Sequence, residues 1–286
     1  MKVKEALHDT AKTLAAKAVD EAVLEAELLL MHAMGLERVG LYMRLEDDLP
    51  LGYDSTLFQL VGRRLRGEPI AYILEHREFY GLDFYIGAGV LIPRPETETL
   101  VEAVVAFAHS NFASGDPIIA DIGTGSGAIA VSLAHLLPES KVYATDISMQ
   151  ALDIAALNGI RHSVRVELLQ GDLLTPLPQP VDIIVANLPY VRDDEFSGLS
   201  AEIRNHEPRI ALSGGSDGLD ITRRLIADAP RKLRDGGAVL LEIAPSQAEP
   251  LASWVAGLGA WSHVELLKDC GGFVRVLQLV LTKRNS

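Results

Sequence analysis

Apolar positions change their period along this chain, and the changes divide it. Up to about residue 75 they recur roughly every third or fourth position, the spacing of helices with one buried face, and no convincing strand interrupts them. Asp20 to Gly35 reads as one such helix, with an aspartate start, an acidic first turn and a glycine stop. Val23, Ala26, Leu30 and Met34 are its expected core-facing stripe, and His32 reads as a polar-face or hydrogen-bonded core histidine. A second amphipathic stretch, Ser55 to Arg66, follows Pro50-Leu51-Gly52. From Arg77 to Ile92 the period shortens. Phe79, Leu82, Phe84, Ile86, Val90 and Ile92 are punctuated by Gly81, Gly87 and Gly89, which predicts a hairpin linking two domains. Pro93-Arg94-Pro95-Glu96-Thr97-Glu98 then opens a helix, because proline suits a first turn and acids suit the positive end of its dipole.

Beyond residue 115, strands and helices alternate. The expected strands are Ile118–Asp121, Lys141–Asp146, Val164–Leu169, Val181–Ala186, Ala238–Ile243, Val264–Leu267 and Val274–Leu281. Crossover helices are expected at Ala128–Leu137, Ser148–Asn158 and Gly218–Leu233. This alternation predicts a doubly wound, mainly parallel α/β sheet. The last two strands are joined only through Asp269-Cys270-Gly271-Gly272 and should pair antiparallel.

Composition narrows the classes. A chain of 286 residues that is 48% hydrophobic can bury two moderate cores, and it holds no apolar run long enough for a membrane span or a secretory signal. The single cysteine, Cys270, excludes an internal disulfide, fits a reducing cytoplasm and is expected as a small buried residue. Net charge is −13, with −4 in residues 1–75, so neither half resembles a phosphate-binding basic module. Arg63-Arg64-Leu65-Arg66 reads as a solvated helix face, with phosphate contact as the alternative. No cluster of side chains has metal-ligand spacing.

Two segments carry the candidate chemistry. The first is Asp121-Ile122-Gly123-Thr124-Gly125-Ser126-Gly127, a glycine-rich turn following an apolar strand, which lets backbone approach a nucleoside-bearing cofactor. Read literally it also satisfies a dinucleotide pattern, so it does not separate S-adenosylmethionine from a nicotinamide cofactor. Asp146, closing the next strand, can accept ribose hydroxyls, or alternatively cap the following helix, a task Ser148 performs as well. After the third strand, Asp172 can meet an adenine amino group and Leu173 can cover the ring. The second segment is Asn187-Leu188-Pro189-Tyr190. The Asn187 side-chain oxygen and the Leu188 carbonyl can accept both hydrogens of an NH2 group, Tyr190 offers a ring to pack on it, and Pro189 stiffens the turn. An ordinary Asn/Pro loop is the plain alternative. Together the segments describe a methyltransferase acting on nitrogen.

The succession of motifs resembles the HemK/PrmC family, which methylates a glutamine side chain in class-1 peptide chain release factors. The resemblance rests on Gly67–Leu74, Arg77–Leu82, Val90–Glu98, the glycine-rich turn and Glu207-Pro208-Arg209-Ile210-Ala211-Leu212-Ser213-Gly214-Gly215-Ser216-Asp217-Gly218-Leu219, and covers nearly the whole chain. It implies a helical substrate-recognition domain at 1–75, a β-hairpin linker at 76–92 and a class I S-adenosylmethionine-dependent methyltransferase domain at 93–286. That domain would have a Rossmann-like, seven-stranded sheet. It further implies that Gly123, Thr124, Gly125, Ser126, Gly127, Asp146, Leu173 and Asn187 contact S-adenosyl-L-methionine and its product S-adenosyl-L-homocysteine. Asn187, Leu188, Pro189 and Tyr190 would hold the substrate glutamine, and Arg94, Pro95 and Glu96 would pack near the cofactor without catalytic duty. A cytoplasmic monomer with a protein substrate, no nucleic-acid contact and no membrane association is the expectation. One residue departs from the family: Leu188 stands where it usually has proline. The carbonyl of that position survives while a backbone restraint is lost. Asn-Leu-Pro-Tyr also resembles the form in ribosomal-RNA adenine dimethyltransferases. A nucleic-acid adenine methyltransferase and a nicotinamide-dependent oxidoreductase are therefore the competing readings.

Overall fold

A computed structural model describes residues 1–112 and 116–283. The chain divides into two units, one comprising Met1–His76 with Ser200–His206 and the other Arg77–Leu199 with Glu207–Ser286.

The first unit contains α1 (Val3–Ala15), α2 (Ala22–Met34), α3 (Arg38–Met43), α4 (Tyr53–Leu65) and α5 (Ile70–Leu74). Val3, Leu14, Ala26, Leu29, Leu30, Leu41 and Leu57 form its core. Gly35 ends α2 in the left-handed conformation, φ 62°, which glycine adopts without the Cβ penalty. The buried face of α2 differs from expectation. Ala22, Ala26, Leu29 and Leu30 point inward with Glu25 and Glu27, whereas Val23 is 62% exposed. The apolar stripe is shifted because two acids on the inner face find cationic partners. Arg64 binds Glu25 at 2.6 Å and Glu202 at 3.1 Å with a side chain only 10% exposed, Arg38 pairs with Glu27 at 3.0 Å, and outside α2 Arg63 binds Glu68 at 2.6 Å. Arg63 and Arg64 thus form an internal clamp where a solvated face was expected, whereas Arg66 is exposed as that reading has it.

The second unit opens within a two-stranded hairpin, β1 (His76–Phe79, its first residue counted with the first unit) and β2 (Leu82–Tyr85), turned by Tyr80 and Gly81 at positive φ. Then follow α6 (Glu98–Asn111), β3 (Ile118–Ile122), α7 (Ala128–Leu136), β4 (Lys141–Asp146), α8 (Met149–Arg161), β5 (Val166–Gln170) and β6 (Val181–Ala186). Next in chain order come α9 (Ala201–His206, part of the first unit), α10 (Asp220–Asp228), β7 (Leu233–Glu242), α11 (Ala248–Ala256), β8 (Trp261–Lys268) and β9 (Val274–Leu281). The seven strands of the main sheet lie in the order β5-β4-β3-β6-β7-β9-β8. Pairing is parallel through β7 and antiparallel for β7/β9 and β8/β9. All residues of β6 are buried, as befits a central parallel strand covered on both faces. Strand order reverses between β3 and β6, which opens a crevice at their carboxyl ends.

The hairpin is fastened to α8. Asn158, fully buried, accepts from Tyr85 N at 2.7 Å and donates to Tyr85 O at 3.0 Å and Ser126 O at 2.8 Å. Cys270 is exposed in the β8–β9 turn, against the expectation of burial, because a tight hairpin turn has no interior to offer. Among the described residues no helix is long and apolar enough to cross a membrane.

Candidate active site

The carboxyl ends of β3, β4 and β6 converge on a cavity of about 340 Å3, within the usual range for small-molecule sites. It is lined by Gly123, Thr124, Gly125 and Ser126 after β3, by Thr145 and Asp146 of β4, by Asp172 and Leu173 after β5, and by Asn187, Leu188 and Pro189 after β6. The structure therefore brings most of the sequence-derived residues to one space. Gly127 and Tyr190 do not line it.

The glycine-rich turn is held from beneath. Gly123, Gly125 and Gly127 have φ of 73°, 56° and 81°, which a side chain would strain. Gly123 N and Thr124 N both donate to Thr145 O, at 2.8 and 3.0 Å. Asp121, fully buried, accepts through Oδ2 from Thr124 Oγ1 at 2.6 Å and Ala130 N at 3.2 Å, while Oδ1 has no hydrogen-bond partner among the described residues. Burial pushes its carboxyl up to about 7. Gly127 serves packing: a Cβ there would lie 3.0 Å from that of Ala155 on α8.

Asp146 does more than face the cavity. Its Oδ2 accepts from Gly125 N and its Oδ1 from Ser148 N, both at 2.9 Å. The helix cap itself is Ser148, whose side chain accepts from Ala151 N. Asp146 thus staples two loops and still has lone pairs for hydroxyl donors. Leu173 sits at φ 49° with its carbonyl accepting from Thr145 Oγ1 at 3.0 Å, which turns its side chain to the cavity wall. Asp172 is ion-paired with Arg224 at the cavity margin. A concave, glycine-floored space with a carboxylate at one end and an apolar cover suits an adenosine-bearing cofactor.

At the other end, Leu188 is buried against Gly123, its Cδ2 3.3 Å from where a Cβ of that glycine would be. Asn187 Nδ2 donates to Thr97 Oγ1 at 3.1 Å. The Tyr190 carbonyl accepts from Gln247 Nε2 at 3.2 Å, and burial pushes its phenol up to about 12 beside Glu242, with Arg94 and Arg275 acting in the opposite sense. Val90, Leu91, Pro93, Arg94 and Thr97 also line the cavity. Arg94 pairs with buried Glu207, which also accepts from Ile92 N at 3.2 Å, so the segment before α6 is locked to the loop before α10. Sequence reasoning assigned no role to Thr97, Asp121, Glu207 or Glu242. Only Asp121 carried a local signal, its place at the end of the strand that feeds the turn.

Two family models match the chain: the PrmC N-terminal domain over residues 5–74 and the methyltransferase small domain over residues 109–216. The release factor glutamine methyltransferase of Moorella thermoacetica is 43% identical over 279 residues, covering 95% of this chain and 96% of that one. That of Rhodopirellula baltica is 41% identical over 262 residues, covering 90% and 88%. Among solved structures, a methyltransferase from Pyrococcus furiosus shares the fold with a TM-score of 0.53 at 20% identity, covering 77% of this chain and 97% of that one.

Proposed function

The chain belongs to the family of release factor glutamine methyltransferases, and we propose from that premise a specific methyl transfer. The donor is S-adenosyl-L-methionine, and the acceptor is the side-chain N5 of the glutamine in the Gly-Gly-Gln motif of a class-1 peptide chain release factor. The supporting observation is that one cavity holds both Asp146 with the glycine-rich turn and, at its far end, Asn187 and Leu188.

In this reading Gly123, Thr124, Gly125, Ser126, Asp146 and Leu173 bind the cofactor, and Gly127 shapes the turn by its contact with α8. S-adenosylmethionine supplies an electrophilic methyl group. The chain's own task is alignment, since an amide nitrogen is a poor nucleophile whose lone pair is delocalised into its carbonyl. Asn187 Oδ1 and the Leu188 carbonyl accept the two N–H bonds of the substrate amide. They orient the nitrogen and draw off positive charge as its bond forms. Positioning of this kind supplies about 7–11 kcal/mol. The Leu188 side chain is buried, and its packing restrains the turn where proline would otherwise do so. Tyr190 supports the turn from behind, and the displaced amide proton leaves to solvent.

Residues 1–75 are assigned to holding the release factor, and the protein is proposed to act as a cytoplasmic monomer without direct nucleic-acid contact. The net charge of −13 supports a protein partner over a phosphate backbone. Incubation with labelled S-adenosylmethionine, a release factor and ribosomal RNA tests the assignment. Label is expected on the protein, and label on RNA alone would instead establish the adenine methyltransferase reading.

A further inference from the structure

We propose that Glu242 is a positioning residue for methyl transfer, its carboxylate fixing, through Thr97, which face of the Asn187 amide meets the substrate. The proposal rests on the role given to Asn187 above. Glu242 ends β7, and Leu241 pairs with Ala186 at the end of β6, so Glu242 and Asn187 are neighbours across the sheet. It is 5% exposed, and its Oε2 finds no hydrogen-bond partner among the described residues. Thr97, also buried, and Asn187 direct hydrogen-bond donors toward this carboxyl. Thr97 and Asn187 line the cavity, whereas Glu242 does not.

The direction of the chain follows from counting protons. Thr97 Oγ1 accepts from Asn187 Nδ2 at 3.1 Å, and a hydroxyl has one proton to give. An ionised carboxylate only accepts, so that proton goes to Glu242. The sequence Asn187 N–H to Thr97, then Thr97 O–H to Glu242, leaves Asn187 Oδ1 free for the cavity. That is the acceptor a substrate NH2 requires. Once protonated, Glu242 becomes a donor. Thr97 can accept from it and turn its own proton toward the amide, which then offers Oδ1 to Thr97 and its NH2 to the cavity. Two NH2 groups would then face each other, and the substrate would lose an acceptor.

Burial, tempered by the charged surroundings, brings this change near neutrality. Burial raises the Glu242 carboxyl to about 7, with Glu96 adding to the rise and the hydrogen bond from Thr97 and the charge of Arg275 opposing it. Arg275 is itself paired with Asp269 at 2.9 Å. Tyr190, with its raised phenol, is the other titratable neighbour. Transfer is supported above the Glu242 pKa, where the carboxylate accepts from Thr97, and is lost as pH falls through it.

The test is single-turnover transfer to a release factor at saturating cofactor, from about pH 5.5 to about pH 8.5. Wild type, Glu242→Gln, Thr97→Val and Thr97→Ser are compared, with cofactor affinity titrated separately at each pH. Wild type should show an acid limb centred near 7. Glu242→Gln should fall about ten- to a hundredfold at the alkaline end and lose that limb, with cofactor affinity and KM for the release factor little changed. Thr97→Val should behave alike and Thr97→Ser should restore both rate and limb, so a folding failure in the glutamine variant would leave the test intact. An unchanged acid limb in Glu242→Gln, a wild type without one, or wild-type rate in Thr97→Val would overturn the proposal. Absence of any transfer to the release factor by wild type would overturn the parent reading instead.

Discussion

Replacing Asp146 by alanine separates two duties that the structure combines in one carboxylate. The first is the staple. Gly125 N and Ser148 N each donate to it at 2.9 Å, and Asp146 is only partly buried, so water can replace the lost acceptor. At about 0.5–1.5 kcal/mol for each such bond, the cofactor-free protein should lose about 1–3 kcal/mol. For a chain of this size that is a fall of several degrees in melting temperature. The second duty is the ribose. Hydroxyl bonds to a charged acceptor carry about 1.5–3 kcal/mol each. The backbone donors already share these oxygens, so about 2–4 kcal/mol in total is expected, a loss of about thirty- to a thousandfold in cofactor affinity. The assay is calorimetric titration with S-adenosylhomocysteine beside thermal melts without ligand. A melting temperature that falls while affinity holds would show that Asp146 is a loop staple only, and the ribose assignment would be withdrawn.

Asn187→Ala leaves the glycine-rich turn and Asp146 intact. Cofactor affinity should fall modestly while single-turnover transfer falls by orders of magnitude, at about 1.36 kcal/mol per tenfold; near-normal transfer would mean the nitrogen is held elsewhere. Leu188→Pro keeps the carbonyl and should retain transfer within about tenfold, its main cost being the lost packing of a buried side chain on Gly123. Stability should depend on pH in an unusual direction. Asp121 and Glu242 both have folded values raised to about 7 from 3.8 and 4.5, so the native state holds protons that the unfolded chain releases. Urea unfolding should therefore give a stability that rises as pH falls from 8 toward 5.5, by roughly 2 kcal/mol for each group. Glu242→Gln should remove its share; stability falling over that window would refute the assignment.

The sequence was most legible where a physical rule is local. Three of the expected strands, Lys141–Asp146, Val181–Ala186 and Val274–Leu281, match the observed bounds, because their mainly apolar runs stop where polar or turn residues begin. The first half of β7 was hidden, since Arg234-Asp235-Gly236-Gly237 reads as a turn; Arg234 there pairs with Asp182 of β6, whose register with β7 is irregular at that point. The glycine-rich turn announced one end of the cavity because three glycines at positive φ need an unusual backbone, and Asn187–Pro189 announced the other through the residue types it places after an apolar strand. What escaped notice depends on contacts between distant segments. Glu25 lies inward where Arg64 meets it while Val23 lies outward, Arg94 is fixed by Glu207, and Glu242 comes beside Asn187 only through the pairing of β7 with β6. No window of sequence contains both members of such a pair.

The central claim is the identity of the methylated atom. Transfer from isotopically labelled S-adenosylmethionine to an intact class-1 release factor, followed by digestion and fragment mass spectrometry, locates it directly. One added methyl group is expected on the side-chain nitrogen of the Gly-Gly-Gln glutamine, and none on a release factor in which that glutamine is replaced by alanine. Methyl on another residue, or label retained by the alanine-substituted factor, would contradict the account.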